Sequence, residues 1–301
     1  MSSSGTTPTN SAQALTILSI GASRNIGYYA SLKFLQGGAT VTFLLRNPSV
    51  FDNDTSIQPY VSSGHARLIK GDALVKDDVA RAWAEAGRDR PQGVDYLLFT
   101  VGGTPKFVLS KGFTISPPNL VTVSLINALS TLPPSAPQPK IITISSTGLT
   151  PTSHSSLPIL LKPLYGYFLI GPHADKLGGE RVLHHCTSGW SWNSASSGEP
   201  AEGILPSEWE KTEGLPKESS LSGVVVIRPS LLTDGECLGD AYDTAIKQGK
   251  GGKKAKKPYK VSAEKELGGY TVSRKDVAHF VLDLVLNRWA EFENKIVNIS
   301  Y

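Results

Sequence analysis

Short runs rich in Val, Ile and Leu alternate along this chain with segments whose apolar residues recur at helical spacing, and few architectures satisfy that order. From Leu15, LTILSI reads as a buried strand, a glycine-bearing turn follows, IGYYASLKFLQ reads as a helix, Gly37-Gly38 ends it, and VTFLL is the next strand. The rhythm continues through the strand ARLIKGD, the helix DDVARAWAEAG, the strand VDYLLFTV, the proline-led helix PPNLVTVSLINALS and the strand KIITIS. A helix around DKLGGERVLHHC and the strand VVVIRP come next. Strands that are apolar throughout are covered on both faces, as in a parallel sheet held between two helical layers. Right-handed crossovers then predict an α/β fold with a doubly wound, mostly parallel sheet.

Two stretches interrupt the rhythm and read as insertions, at 189–222 and 240–260. The first is rich in Ser, Gly, Glu and Pro and carries Trp190, Trp192 and Trp209. Its tryptophans either pack on their own domain or form a lid over a cleft. The second contains KQGKGGKKAKKPYK, at 247–260. Beyond it, KPYKVSAEKELGGYTVS reads as a hairpin turning near Gly268-Gly269, SRKDVAHFVLDLVLNRW as a long helix capped by Ser273, and KIVNISY as a closing strand. The C-terminal third is thus expected to form a small subdomain facing the substrate. Residues 1–13 read as a disordered tail, and 14–301 as a single domain.

With 40% hydrophobic and 19% charged residues among 301, the chain has the makings of a sizeable core and is not a disordered protein. No apolar run approaches the roughly 18 residues of a membrane span, and the N-terminal residues have the pattern of neither a secretory signal nor a transit peptide. Cytoplasmic residence is the expectation. Cys186 and Cys237 are too few for a disulfide framework and read as free thiols. The net charge of +4 suggests a polyanion partner, but seven lysines lie between Lys247 and Lys260 with no acid among them. That segment is broken by Gly249, Gly251 and Gly252 and holds one aromatic, Tyr259, so it offers neither a stacking platform nor an amphipathic helix. Nucleic acid and membrane are therefore not expected partners.

The turn after the first strand reads Gly21-Ala22-Ser23-Arg24-Asn25-Ile26-Gly27. A first glycine lets the chain leave the strand sharply, a last one lets the helix pack against the sheet, and N–H groups at the helix start can hold a pyrophosphate. Asn25 stands where a third glycine is often found. Placed in a strand–turn–helix–strand unit of about 30 residues, this spacing predicts dinucleotide binding on a Rossmann fold. At the end of the second strand, where an NAD enzyme carries Asp or Glu, the chain has Arg46. A guanidinium there, with Arg24 in the glycine turn, suits a 2′-phosphate, and each such charged hydrogen bond contributes about 1.5–3 kcal/mol. NADP(H) is the expected cofactor.

These motifs, with Gly71-Asp72, Val101-Gly102-Gly103, ITISSTG at 142–148, IRPSLLTDGE at 227–236 and SRKDVAHFVLD, resemble an atypical short-chain dehydrogenase/reductase. Within that superfamily the chain is similar to the NAD(P)H-binding group of flavin and biliverdin-IXβ reductases and NmrA-like proteins. The resemblance implies that Gly21, Ser23, Arg24, Asn25, Ile26 and Gly27 hold the pyrophosphate side, with Arg24 and Arg46 at the 2′-phosphate. It places Asp72 beside the adenine and Val101, Gly102 and Gly103 along the adenosine. Ser145, Ser146 and Pro229 would flank the nicotinamide. Asp72 has an alternative as cap of the following helix.

Standard members carry a Tyr-x-x-x-Lys pair on the helix after the fifth strand, where the lysine lowers the tyrosine pKa and a serine orients the substrate. Here the serine is Ser146, but Pro172 stands four residues before Lys176. Asp175 is read as favouring its own helix N-terminus. Ser146 and Lys176 are the catalytic candidates, with His173 beside them. His184-His185-Cys186 lacks ligand spacing, so no metal is expected. The resulting expectation is an NADPH-dependent reductase of a small planar or conjugated acceptor, as monomer or homodimer. A non-catalytic NADP(H)-sensing protein, or a scaffold adapted to a non-redox step, are the alternatives.

Overall fold

The structure is a computed structural model and describes residues 12, 15–104, 106–109, 112–134, 137–157, 159–160, 162, 167–250, 257–263 and 265–301. Its first half runs β1 (Thr16–Ile20), α1 (Asn25–Gln36), β2 (Thr40–Leu45), α2 (Gln58–Ser62), β3 (Ala66–Lys70), α3 (Lys76–Gly87) and β4 (Tyr96–Phe99). A hairpin of β5 (Lys106–Val108) and β6 (Gly112–Thr114) precedes α4 (Leu120–Ser130), β7 (Lys140–Ile144), α5 (Pro151–Ser155), α6 (Ile170–Cys186) and α7 (Ser194–Ser197). The remainder is β8 (Val224–Pro229), β9 (Leu231–Thr233), α8 (Leu238–Lys247), β10 (Lys260–Ser262), β11 (Thr271–Ser273), α9 (Arg274–Asp283), α10 (Trp289–Phe292) and β12 (Lys295–Ser300).

The main sheet has the order β10-β12-β8-β7-β4-β1-β2-β3, and only β10 runs antiparallel to its neighbour. The chain winds outward from β1 to β3, then crosses to β4 on the other side of β1 and winds outward again. Where the winding reverses, the loops after β1 and β4 diverge and leave a crevice at the strand ends. Strand alternation divides the core. Ile17, Leu98, Val225 and Ile227 face the layer of α1 and α9, whereas Leu18, Ile20, Leu97 and Val226 face that of α3, α4 and α6. All are at most 1% exposed, and full burial of such a side chain contributes about 1.5–3 kcal/mol. The polar residue on β1, Ser19, is matched by Ser31 of α1, with 2.9 Å between the hydroxyl oxygens.

The tryptophans of 189–222 pack on α6 and at the start of β12. Trp209 is buried beside His185, Arg181 lies 5.6 Å from the rings of both Trp192 and Trp209, and Trp190 Nε1 donates to the Asn294 carbonyl at 2.7 Å. They brace the side of α6 away from the crevice.

The 257–273 stretch is not a hairpin. β10 pairs antiparallel with β12, while β11 pairs parallel with β9, because each short strand finds its ladder partner in an existing strand rather than in the other. Gly269 serves close approach: a Cβ there would sit 1.7 Å from Ser300 Oγ. Ser273 does cap α9, its Oγ accepting from Asp276 N at 2.9 Å. Most of the 1–13 tail lies outside the described residues; Ala12 is buried against the Gly37 turn. Residues 251–256 of the lysine-rich run also lie outside them, and near its end Tyr259 is buried with its hydroxyl 2.6 Å from His279 Nδ1.

Candidate active site

A cleft of about 740 Å³ occupies the crevice between β1 and β4 and extends over the end of β2. Its floor is the glycine turn. Gly21 has φ +86°, and a Cβ there would lie 2.5 Å from Val101 N, so only glycine lets the turn pass this close to the end of β4. Gly27 is excluded from having a side chain for another reason, since its Cβ would meet Thr100 Oγ1 at 2.2 Å. Asn25 adopts φ +58°, the left-handed region that asparagine tolerates best after glycine, which explains its presence at a glycine-like position. No side chain caps α1 and no acid lies in its first turn, so its N–H groups and positive dipole end face the cleft beside Ser23, Arg24 and Ile26.

The other predicted cofactor residues divide into two groups. Arg46 is exposed at the cleft rim beyond β2, and Arg24 reaches across the opening to donate to Thr104 Oγ1 at 2.6 Å. Asp72 lines the wall, and its Oδ1 accepts from Leu74 N at 3.0 Å; it does not cap α3, which starts at Lys76 after Val75. Val101, Gly102 and Gly103 form the opposite wall, with open space where a Gly102 Cβ would be. Ser145, Ser146 and Pro229, by contrast, are not among the residues that line this cleft, and neither is His173. The Ser145 hydroxyl turns inward to donate to Glu180, and the buried Pro229 directs its carbonyl to Thr147 N at 3.1 Å. Ser124 of α4 lines the cleft with a buried hydroxyl that has no partner among the described residues.

The inner end of the cleft is shaped by α6. Lys176 lies in its second turn and donates to the Ser145 carbonyl at 2.7 Å, while Ser146 Oγ lies 3.2 Å from His173 Nε2. The first turn therefore places an imidazole, rather than a phenol, beside the serine. Burial, then the nearby charges of Lys176 and His154, push the His173 pKa down to about 3, so its ring is neutral at ordinary pH. Burial also lowers Lys176, to about 8, against the opposing influence of Glu180 and Asp175.

Asp175 does not stabilise its own helix. Its two carboxylate oxygens accept from Val121 N at 2.8 Å and Thr122 N at 2.9 Å, capping the first turn of α4, because α6 passes beside that end of the neighbouring helix. Burial raises its pKa despite those bonds. One turn beyond Lys176, Glu180 meets Arg228 of β8, whose Nε donates to Oε1 at 2.9 Å and whose Nη2 donates to Oε2. Burial alone would raise Glu180, but the guanidinium and the Ser145 hydroxyl hold it below the usual carboxylate value. Lys176 and Glu180 are four residues apart, and an arginine in an otherwise apolar strand requires a buried partner, so both signals for this network were present in the chain. Nothing in the spacing pairs His173 with Ser146.

Among the described residues, no three His, Cys, Asp or Glu side chains come together in a way that could hold a metal, and no helix is long and apolar enough to cross a membrane. No family model matches the sequence. The chain is 27% identical over 281 residues to the reductase pytE of Aspergillus terreus, covering 89% of this chain and 90% of that one. Among solved structures, it resembles a short-chain dehydrogenase from Burkholderia cenocepacia in complex with NADP, at TM-score 0.51, 14% identity and 93% of each chain. A 7α-hydroxysteroid dehydrogenase complexed with NADH and 7-oxo glycochenodeoxycholic acid is similar at TM-score 0.54 and 13% identity, over 97% of this chain and 95% of that one. A short-chain oxidoreductase from Pseudomonas aeruginosa with an atypical catalytic center is similar at TM-score 0.53 and 14% identity, over 95% of each. The fold is the Rossmann-type α/β fold of the short-chain dehydrogenases/reductases.

Proposed function

We propose that this protein is an NADPH-dependent reductase that delivers hydride to a small planar or conjugated acceptor: a flavin, quinone, enone or ketone. The observation that carries this reading is Lys176 lining a cleft whose floor is a glycine turn opening an uncapped helix, with the Ser146–His173 pair next to that lysine. The cleft suits a dinucleotide. Its crowded Gly21 and Gly27 give a smooth floor, the start of α1 offers N–H groups to a pyrophosphate, and the unpartnered Ser124 hydroxyl offers a hydrogen bond. Arg46, with no ion-pair partner among the described residues, is suited to a 2′-phosphate, and Arg24, which lines the same cleft, would share it on leaving Thr104.

NADPH, when bound, supplies the hydride. The protein's part is to bind, orient and handle the proton. Lys176 uses one of three N–H donors on the Ser145 carbonyl, and the others remain for the cleft it lines. On turning from the Thr147 carbonyl, to which it donates at 3.1 Å, the Ser146 hydroxyl offers its O–H to an acceptor oxygen as negative charge develops there, with neutral His173 beside it. A protonated Lys176 replenishes the proton. Acceptors of extended conjugation need little more, because much of the new charge is delocalised and solvent completes protonation.

The test is NADPH oxidation with a panel of flavins, quinones, enones and ketones, comparing wild type with Ser146→Ala and Lys176→Met. Turnover with at least one acceptor, reduced about 10²-fold in kcat by loss of the Ser146 donor, is the expected result. Tight NADPH binding with no acceptor reduced above background would refute the reductase and favour a cofactor-sensing role.

A further inference from the structure

An apolar surface lies between the Gly103 wall of the cleft and the start of α6. The β5–β6 hairpin lies over the start of α6: a Cβ on Gly171 would sit 2.9 Å from the Phe113 carbonyl, and Tyr167 Oη donates to the Leu109 carbonyl. At its other end the hairpin leads to Ile115, which packs so closely on Gly103 that a Cβ there would be 2.1 Å from Ile115 Cγ2. The hairpin thus spans from the cleft wall to the helix turn that carries His173. Its Phe107 and Phe113 cluster with Phe168, with ring centroids 5.7–5.9 Å apart. This cluster is not a closed core. Phe107 is 52% exposed and Leu109 82%; Ile170, at the start of α6, is 56% exposed, and on the segment after α5 Ile159 and Leu160 are 79% and 77% exposed. Leu157 of that segment is buried against Leu169 and Leu231, so the exposed residues extend from an anchored apolar base.

The charge of this region is equally one-sided. Between Asp95 and Asp175 the chain contains no Asp or Glu, and this interval supplies the hairpin, α4, β7, the Ser146 loop and the start of α6. Lys106, Lys162 and His154 belong to it. Of the acids on other elements, Glu266 and Glu180 pair with Arg228, Asp234 pairs with Arg274 and Glu199 accepts from Trp192 and Ser194, while Glu202 is exposed. A cation docking on the hairpin and the segment after α5 would find no carboxylate supplied by either, whereas an apolar body with neutral or negative groups would lose nothing.

Building on the reductase reading, we propose that the acceptor joins a conjugated head to a bulky apolar body, such as fused rings or a long hydrocarbon chain, and is neutral or anionic. The head reaches Ser146 and His173 while the body lies on Phe107, Leu109, Ile159 and Leu160. This patch sets substrate preference through binding and takes no part in the chemistry.

The experiment uses acceptors sharing one quinone or enone head and differing only in the attached group: none, an alkyl or polycyclic body, the same body ending in carboxylate, and the same body ending in trimethylammonium. Wild type is compared with Leu109→Ser/Ile159→Ser/Leu160→Ser, whose positions are too exposed for folding to depend on them. The expected result is a kcat/KM at least 10-fold higher for the apolar-bodied acceptor than for the bare head. The triple substitution should remove that gain through KM, leaving the bare head unaffected, and the ammonium compound should be at least 10-fold poorer than the carboxylate. Indifference to the attached group, or equal losses for every acceptor, overturns the proposal while leaving the reductase intact. Sedimentation with phosphatidylcholine/phosphatidylserine vesicles that the triple substitution abolishes would overturn it too, making the patch a lipid contact. If no acceptor turns over, the reductase reading fails, and calorimetry of the same compounds with NADPH-loaded protein still decides the patch: binding lost on triple substitution upholds it, and absence of binding overturns it.

Discussion

Replacing Arg228 by methionine tests whether the buried pair beneath the candidate site has the energetic weight its geometry implies. The Arg228 and Glu180 side chains are 9% and 2% exposed, and two guanidinium N–H groups bond the two carboxylate oxygens. Removing the arginine leaves a buried carboxylate with the Ser145 hydroxyl as its remaining direct donor, and breaking a buried pair in this way costs about 3–5 kcal/mol. Glu180→Leu should be milder, about 2 kcal/mol, because Arg228 retains Glu266 at 3.7 Å. The double replacement Arg228→Met/Glu180→Leu removes both charges and should return to within about 2 kcal/mol of wild type. Urea unfolding followed by tryptophan fluorescence, with a common m-value, measures all four corners of the cycle. The sign with pH follows from the depressed Glu180 pKa: the pair contributes fully above the ordinary carboxylate value of 4.5 and is lost as pH falls through the lower folded-state value. Costs below about 1 kcal/mol for Arg228→Met, or a double variant as unstable as the sum of the singles, would refute the reasoning.

Four further outcomes are expected. Arg46→Asp should weaken NADPH binding about 10–100-fold, the loss of one charged hydrogen bond, while NADH is unchanged or tighter; paired titrations check it, and parallel changes would remove the 2′-phosphate assignment. Asn25→Gly should be tolerated at its φ of +58°, whereas Asn25→Val should cost about 1–2 kcal/mol in thermal unfolding. Activity that depends on the Lys176 ammonium should decline as pH rises through about 8, seen as an alkaline limb in kcat. Stability changes in the opposite sense, since between about 8 and the ordinary 10.5 the folded lysine releases a proton that the unfolded chain retains. Asp175→Ala leaves the N–H groups of Val121 and Thr122 without their acceptor and should cost about 2 kcal/mol, read as a lower urea midpoint.

The parts of the fold that could be read in the chain are those whose cause is local. LTILSI, VTFLL and VVVIRP are strands because continuous apolar β-branched sequence has one stable setting, and Gly21 and Gly27 follow from close approaches that any other residue would obstruct. Partner choice was not local. Nothing within 257–273 says that β10 joins β12 and β11 joins β9, and the two glycines invited a turn that does not occur. The site divides along the same line. The glycine turn, Arg46 and Lys176 stand out by position, whereas His173 matters through Ser146, 27 residues away, and Ser145 turns inward because Glu180 and Arg228 lie there. Asp175 was assigned to the nearest helix end in sequence, but the end nearest in space belongs to α4.

That last contact makes two helices report on one another. First-turn amides of a helix ordinarily exchange with solvent rapidly, for want of an acceptor. Those of Val121 and Thr122 are bonded to a carboxylate of α6, so they can exchange only when the turn carrying His173 and Lys176 separates from α4. Their deuterium uptake would therefore serve as a clock for opening of the reactive helix, legible without any substrate and from residues that take no part in the chemistry.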